Sequence, residues 1–195
     1  MSGFALVTAP VAEPISVIEA KDHLRVTDGA EDALITALIT AARQSIEGRF
    51  GSLGRALMTQ TWDWFLDGFP ASGAPMEVPF PPLQSVTSIT YTDDAGASQT
   101  WASSKYSVNT KSLIGLIAPA YGESYPSTRA MMNAVTVRFV AGFGAGADVP
   151  MPIRQAMLLQ IGHMYEQRET HVFGATVEML PTVKNLLAPY GIVNF

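Results

Sequence analysis

The chain has 195 residues and no cysteine, which excludes a disulfide framework and thiolate metal sites while leaving the redox compartment open. Its 17 acidic residues outnumber 12 basic ones, for a formal net charge of −5. The cations stand singly, without a run or a basic helix face, which argues against a grip on nucleic-acid phosphates.

Hydrophobic residues make up 48% of the chain and charged ones only 15%. Such a balance calls for an unusually large core or for a surface partly covered by partners, and the second is the reading we favour. The length suits one domain, or one core with an elaborated insertion, and a chain of this size buries roughly 70% of its unfolded surface without needing staples. Met1 to Pro14 lacks the basic and apolar regions of a secretory signal, and no apolar run approaches the roughly 18 residues of a spanning helix. The expectation is a soluble protein, made in a cytoplasm, with no membrane partner.

The first zone, residues 14–51, reads as helical. Ser16-Val-Ile-Glu19 is a capping box opening a short helix that ends near Val26. Asp28 and Glu31 repeat the start signal for a longer helix. Along it Leu34, Ile35, Leu38, Ile39, Ala42, Ile46 and Phe50 recur at three-and-four spacing on one apolar face, with Gly51 as the stop.

Residues 54–141 read as strands. Met58, Trp62, Trp64 and Leu66 alternate with Thr59, Thr61, Asp63 and Asp67, and Pro70 closes that strand. Val86 to Tyr91 is β-branched, and Asp93-Asp94-Ala95-Gly96 supplies turn chemistry before Thr100-Trp101. Tyr106 to Val108, Leu113 to Ile117 and Val135 to Val140 are further strands. Prolines 79, 81, 82, 119 and 126 argue for short edges and loops in place of one large sheet.

After Gly142-Phe-Gly-Ala-Gly146 and Asp148-Val-Pro150, a helix is predicted from Pro152 to Glu169. Ile153, Met157, Ile161 and Met164 form one stripe, which Leu158, Leu159 and Tyr165 widen until little of the middle is polar. Such a helix must be packed on most sides. A short helix over Val183 to Leu187 leads to Ala188-Pro-Tyr-Gly-Ile-Val-Asn-Phe195, an apolar tail that suits docking better than solvation. The pattern is α+β: a helical core (a long N-terminal helix and the C-terminal helices) with an antiparallel β-rich insertion. Its parts are residues 1–53, 54–141 and 142–195.

No motif carries catalysis. The alternating glycines 142, 144 and 146 lack the helix start or the lysine that a phosphate loop needs, and Asp148 would repel a phosphate. His163 and Glu166 share a helix face, with Glu169 and His171 near, but zinc requires three or four convergent ligands and His23 is far away in sequence. Asp93-Asp94 reads as a turn pair before it reads as a magnesium site. No serine stands in a G-x-S-x-G elbow. Catalytic, cofactor and metal residues are therefore none.

Several segments resemble, in order and spacing, the head–tail connector (adaptor) family of long-tailed phages and of the gene transfer agents derived from them. They are Ile18-Glu-Ala-Lys-Asp-His-Leu-Arg-Val26, Ser88-Ile-Thr-Tyr-Thr-Asp-Asp-Ala-Gly96, Tyr106-Ser-Val108, and the stretch from Ile117-Ala-Pro119 to Pro126. Further on, Val135-Thr-Val-Arg-Phe-Val-Ala-Gly142 runs into Asp148-Val-Pro150, Ile153-Arg-Gln-Ala156 and Tyr165-Glu-Gln-Arg-Glu169, with Leu180-Pro181 and Leu186-Leu187 near the end. The resemblance implies a non-enzymatic ring of twelve copies beneath the portal protein, in the neck of the particle. A stopper or tail terminator protein would bind its tail side, and DNA would pass through without specific binding. It also implies portal docking by the C-terminal segment, so Leu186, Leu187, Tyr190, Ile192 and Phe195 are the candidate interface. Ile153, Met157, Leu158, Ile161 and Tyr165 are the candidate helix-packing set. The alternatives are a DNA-packaging or assembly accessory of the same particle, which predicts salt-dependent DNA affinity, and a small hydrolase, which predicts a convergent polar pocket.

Overall fold

The computed structural model describes residues 3–49, 51–167 and 181–192. The fold is mixed α+β with antiparallel sheets, and the chain divides into two compact units. Residues 1–10 and 59–142 form a sheet unit, and residues 11–58 and 143–195 form a helical unit.

The sheet unit contains β1 (Gly3–Thr8), β2 (Gln60–Leu66), β3 (Met76–Val78), β4 (Leu83–Thr92), β5 (Ser98–Thr100), β6 (Tyr106–Asn109), β7 (Gly115–Pro119) and β8 (Val135–Ala141). Five strands pair in the order β1-β2-β8-β4-β5, and three more in the order β3-β7-β6. β8 is the central strand of the larger sheet, and its sequence explains why. Val135, Val137, Phe139 and Ala141 point into the core while Thr136, Arg138 and Val140 point away, the two-residue period of a strand with one buried face. Register places Trp62 and Trp64 of β2 opposite Phe139 and Val137, and Val86 and Ile89 of β4 on their other side. On the opposite face Asp63 lies across from Arg138, which donates from Nε and Nη2 to the two carboxylate oxygens at 2.8 Å each. That bond and the carboxylate's charge raise the Arg138 pKa, but the pair is exposed and adds little to stability.

Two strands carry no expectation from sequence. β1 is an edge strand whose last four residues are exposed, so no buried alternation marks it. β3 has three residues, too few to show a period. The prolines sit where strands stop: 79, 81 and 82 between β3 and β4, and Pro119 at the end of β7. The two sheets are joined by aromatic packing, with Phe69 against Tyr91, Trp101 and Tyr125, and Trp101 against Tyr106. A close approach at Gly115 also sets them together, because a Cβ there would lie 2.4 Å from the Leu83 side chain. Gly115→Val is expected to cost about 1–3 kcal/mol through overpacking, read as a lower urea midpoint. An unchanged midpoint would mean that Leu83 simply moves aside.

The helical unit contains α1 (Val17–Leu24), α2 (Asp32–Ile46), α3 (Met151–Glu166) and α4 (Pro181–Leu187). The Ser16 hydroxyl accepts from the Glu19 N–H at 3.1 Å, as the capping signal requires. Arg25 then ends α1 in the left-handed region, φ 59°, and the Val26 N–H reaches back to the Lys21 carbonyl. α2 begins later than its sequence signal. Asp28 accepts from the Ala30 N–H at 2.9 Å and makes a local turn instead, leaving Glu31 at the cap position with no side-chain bond to the first-turn N–H groups. Ile35, Ile39, Ala42 and Ile46 face inward, while Leu34 is 36% exposed. The helix also stops before Gly51. Gly48 takes φ 74°, and the chain folds back so that the Ser52 and Leu53 N–H groups donate to the Ser45 and Ile46 carbonyls.

Among the described residues α3 runs to Glu166 with Gln167 as its C-cap, and the expected end at Glu169 lies outside them. Ile153, Ala156, Met157, Leu158 and Ile161 are buried, and within the helix only Met151, Gln155 and Glu166 are exposed. A helix this apolar is covered on most of its circumference, and the cover comes from α1, α2 and α4.

Candidate functional site

The features that suggested chemistry in the sequence have structural explanations. Gly144 takes φ 132°, and a Cβ there would lie 2.5 Å from Asp148 Oδ2. Asp148 accepts from the Ala145 N–H at 2.8 Å, so its carboxylate closes the glycine loop where a phosphate would have to sit. Asp93 organises the β4–β5 hairpin, accepting from the Gln99 side chain and the Ala97 N–H at 2.9 Å each. These two bonds hold its carboxyl below the usual carboxylate range. Among the described residues no three His, Asp or Glu side chains converge as metal ligands. Glu169 and His171 lie outside the described residues. No helix among the described residues is long and apolar enough to cross a membrane.

Polar side chains instead tie the helical unit together. Arg43 on α2 donates from Nε to Glu13 at 2.6 Å and from Nη1 to Glu47. Burial pulls the Arg43 pKa down, but the bond to Glu13 and the charges of Glu47 and Glu13 outweigh it and raise the value. Arg154 on α3 reaches both oxygens of Glu19 on α1 at 2.7 and 2.8 Å. Lys21 meets Asp32 at 2.7 Å, and the Tyr165 hydroxyl donates to Glu31. These pairs fix the three helices relative to one another, and the apolar cluster lies between them.

The C-terminal segment completes that cluster. Val183 and Leu187 of α4 are buried in it, and Leu186 and Tyr190 pack against its edge. The candidate interface residues therefore separate. Leu187, only 3% exposed, belongs to the unit's own core and has almost no surface to offer a partner. Leu186, Tyr190 and Ile192 remain half-buried, and Phe195 lies outside the described residues. Ile153, Met157, Leu158 and Ile161 of the helix-packing set are buried in the same cluster, with Tyr165 beside them. The Ile192 N–H donates to the Leu53 carbonyl at 3.3 Å, and Arg55 Nε donates to the Tyr190 carbonyl. The tail is thus laid against residues 53–55, with Gly54 at φ 65° bringing the backbone close to Ile192. Arg55 was missed by the sequence reading. Its one signal is a lone cation inside the apolar run from Leu53 to Met58.

These residues fill and edge the core of the helical unit. The comparisons give the chain a family. The sequence profile of the phage gp6-like head–tail connector proteins matches residues 14–112, and the chain belongs to this family of structural connectors. No curated protein matches the chain. Among solved structures, a chain from the neck of an empty gene transfer agent particle, computed with C6 symmetry, is 26% identical with a TM-score of 0.80, covering 99% of this chain and 97% of that one. A chain from the virion of a native gene transfer agent particle is also 26% identical, with a TM-score of 0.79 over 98% and 96%. A third, from the neck of a native particle computed with C12 symmetry, shares the fold at 23% identity and a TM-score of 0.71 over 99% and 97%.

Proposed function

We propose that this protein is a non-enzymatic adaptor in the neck of a phage-like particle, where twelve copies form a ring beneath the portal protein. The ring joins the DNA-filled head to the tail and leaves a channel through which DNA passes. The observation that carries this reading is membership of the connector family together with a 26% identical relative from a particle neck that matches 99% of the chain. The sixfold symmetry of that neck suits a copy number that is a multiple of six. A net charge of −5 suits a conduit, since a weakly acidic wall repels the DNA it surrounds and does not hold it.

In this reading the half-buried residues Leu186, Tyr190 and Ile192, with Phe195 beyond them, dock on the portal, while the tail side receives a stopper or tail terminator protein. No cofactor enters. The test is to incubate the purified protein with DNA-filled, tailless heads of its own particle and image them by electron microscopy. A ring at the portal vertex, with twelvefold symmetry, is the expected result. An accessible portal that stays bare in the presence of folded protein would turn the reading towards a packaging or assembly accessory.

A further inference from the structure

Arg55 is 5% exposed and sits between buried Leu53, Ala56, Leu57 and Met58. A guanidinium carries five N–H donors. Among the described residues its side-chain contact is the single bond from Nε to the Tyr190 carbonyl, and no carboxylate pairs with it. Glu47 is close along the backbone, since Gly48 donates to the Arg55 carbonyl and Leu57 donates to Glu47 Oε2, but the Glu47 carboxylate is paired with Arg43. The contrast between the two arginines is informative. At Arg43 two carboxylates more than repay burial, whereas at Arg55 burial lowers the pKa and no acidic neighbour opposes it.

A buried cation with no counter-charge among the described residues carries an uncompensated desolvation cost, and even a complete buried ion pair is often replaced by apolar side chains without loss of stability. Its presence therefore points to a partner that arrives later. Among the described residues the fully enclosed and unpaired side-chain atoms are those of Trp62, Trp64, Arg154 and Gln160, so the terminal nitrogens of Arg55, on a side chain 5% exposed, keep a narrow opening to a partner. A planar fork of donors with two nitrogens unengaged fits a carboxylate, which it binds through two parallel hydrogen bonds.

We propose that Arg55 is the anion-receiving contact of the C-terminal docking surface, completed on assembly by a carboxylate side chain of the portal protein. This rests on the reading of the tail as the portal-docking segment. Arg55 then has two roles on one side chain: Nε holds the tail through Tyr190, and the outer nitrogens meet the partner beside it.

The experiment measures binding of the full chain to purified portal rings free of DNA, which removes nucleic-acid phosphates as a source of the anion. Arg55→Met keeps the length of the apolar stem and is expected to melt within a few degrees of the unaltered protein, because relief of the uncompensated charge offsets loss of the Nε bond to Tyr190. Its binding is expected to weaken at least about 30-fold, the lower end of the scale for losing one partner of a desolvated charge pair. Arg55→Lys, which restores the charge, is expected to recover part of the loss. Unchanged binding by Arg55→Met would overturn the proposal. So would a strongly lowered melting temperature, or equal weakness of the Lys and Met variants, because either would give Arg55 a purely structural role. Ile192→Asp is measured alongside. If it binds normally while Arg55→Met does not, the tail-docking reading fails and the Arg55 contact stands; the reverse pattern retains the docking reading and discards the Arg55 contact.

Discussion

Deletion of residues 188–195 is expected to weaken attachment to portal-bearing heads by at least about 100-fold while the remaining protein stays folded. Docking surfaces draw most of their energy from a few apolar and aromatic anchors, and removing several of them together exceeds about 3 kcal/mol. The cost to folding is smaller. Among the described residues the deletion removes the packing of Tyr190 against the edge of the cluster and the hydrogen bonds from Arg55 to Tyr190 and from Ile192 to Leu53, each worth about 1 kcal/mol net. Val183 and Leu187, which lie inside the cluster, are retained. Co-sedimentation with heads reads the first effect, and a circular-dichroism melt reads the second. Ile192→Asp is the control that keeps the main-chain bonds and places a charge on the proposed contact. Attachment at the normal level by both variants would put the portal contact elsewhere on the protein.

Phe139→Ala is expected to destabilise the sheet unit by about 3–5 kcal/mol, the usual cost of emptying a large aromatic site in a core. Phe139 is fully buried on the central strand, with Trp62 of β2 in register on one side and Val86 of β4 on the other. Both neighbours are fixed by hydrogen-bonded ladders, so the cavity has little freedom to collapse. Against a typical total of about 5–15 kcal/mol this is a large fraction of the stability. Urea unfolding followed by tryptophan fluorescence is the natural readout, because Trp62 and Trp64 line the same face. A shift below about 1 kcal/mol would mean that the strands close over the gap. Arg138→Ala, one residue away on the exposed face, is expected to change the midpoint far less, since its ion pair with Asp63 is screened by water.

These contrasts follow from features that differ in how visible they are along the chain. The alternation in β8, the inward spacing of Ile35, Ile39, Ala42 and Ile46, and the Ser16–Glu19 cap are local patterns. Each arises from the period of a strand or a helix, or from a hydrogen bond three residues long, so reading neighbours in order is enough to find it. The same holds for the Asp93–Gly96 turn and for the breadth of the apolar surface on α3. The connector family was legible in the same way, through the order and spacing of several short segments.

Other features depend on groups far apart in the chain, and sequence order carries no mark of them. β1 exists because β2 offers it an edge, not because Gly3–Thr8 has a pattern of its own. α2 starts at Asp32 because Asp28 forms a turn with the backbone at Ala30 instead of capping, a competition between two local bonds that the residue types do not decide. Leu186 and Leu187 are adjacent and chemically identical, yet one is at the edge of the cluster and the other within it, because the rotation of α4 against α3 settles which side is covered. Arg55 is the sharpest case. As a lone cation among apolar residues it reads as a surface charge, and its burial beside Tyr190 results from a tertiary contact across 135 residues. Residue types and periods thus determined the elements and the family, whereas burial and charge pairing, which depend on the neighbours that folding supplies, decided which of those residues are enclosed and which keep exposed surface.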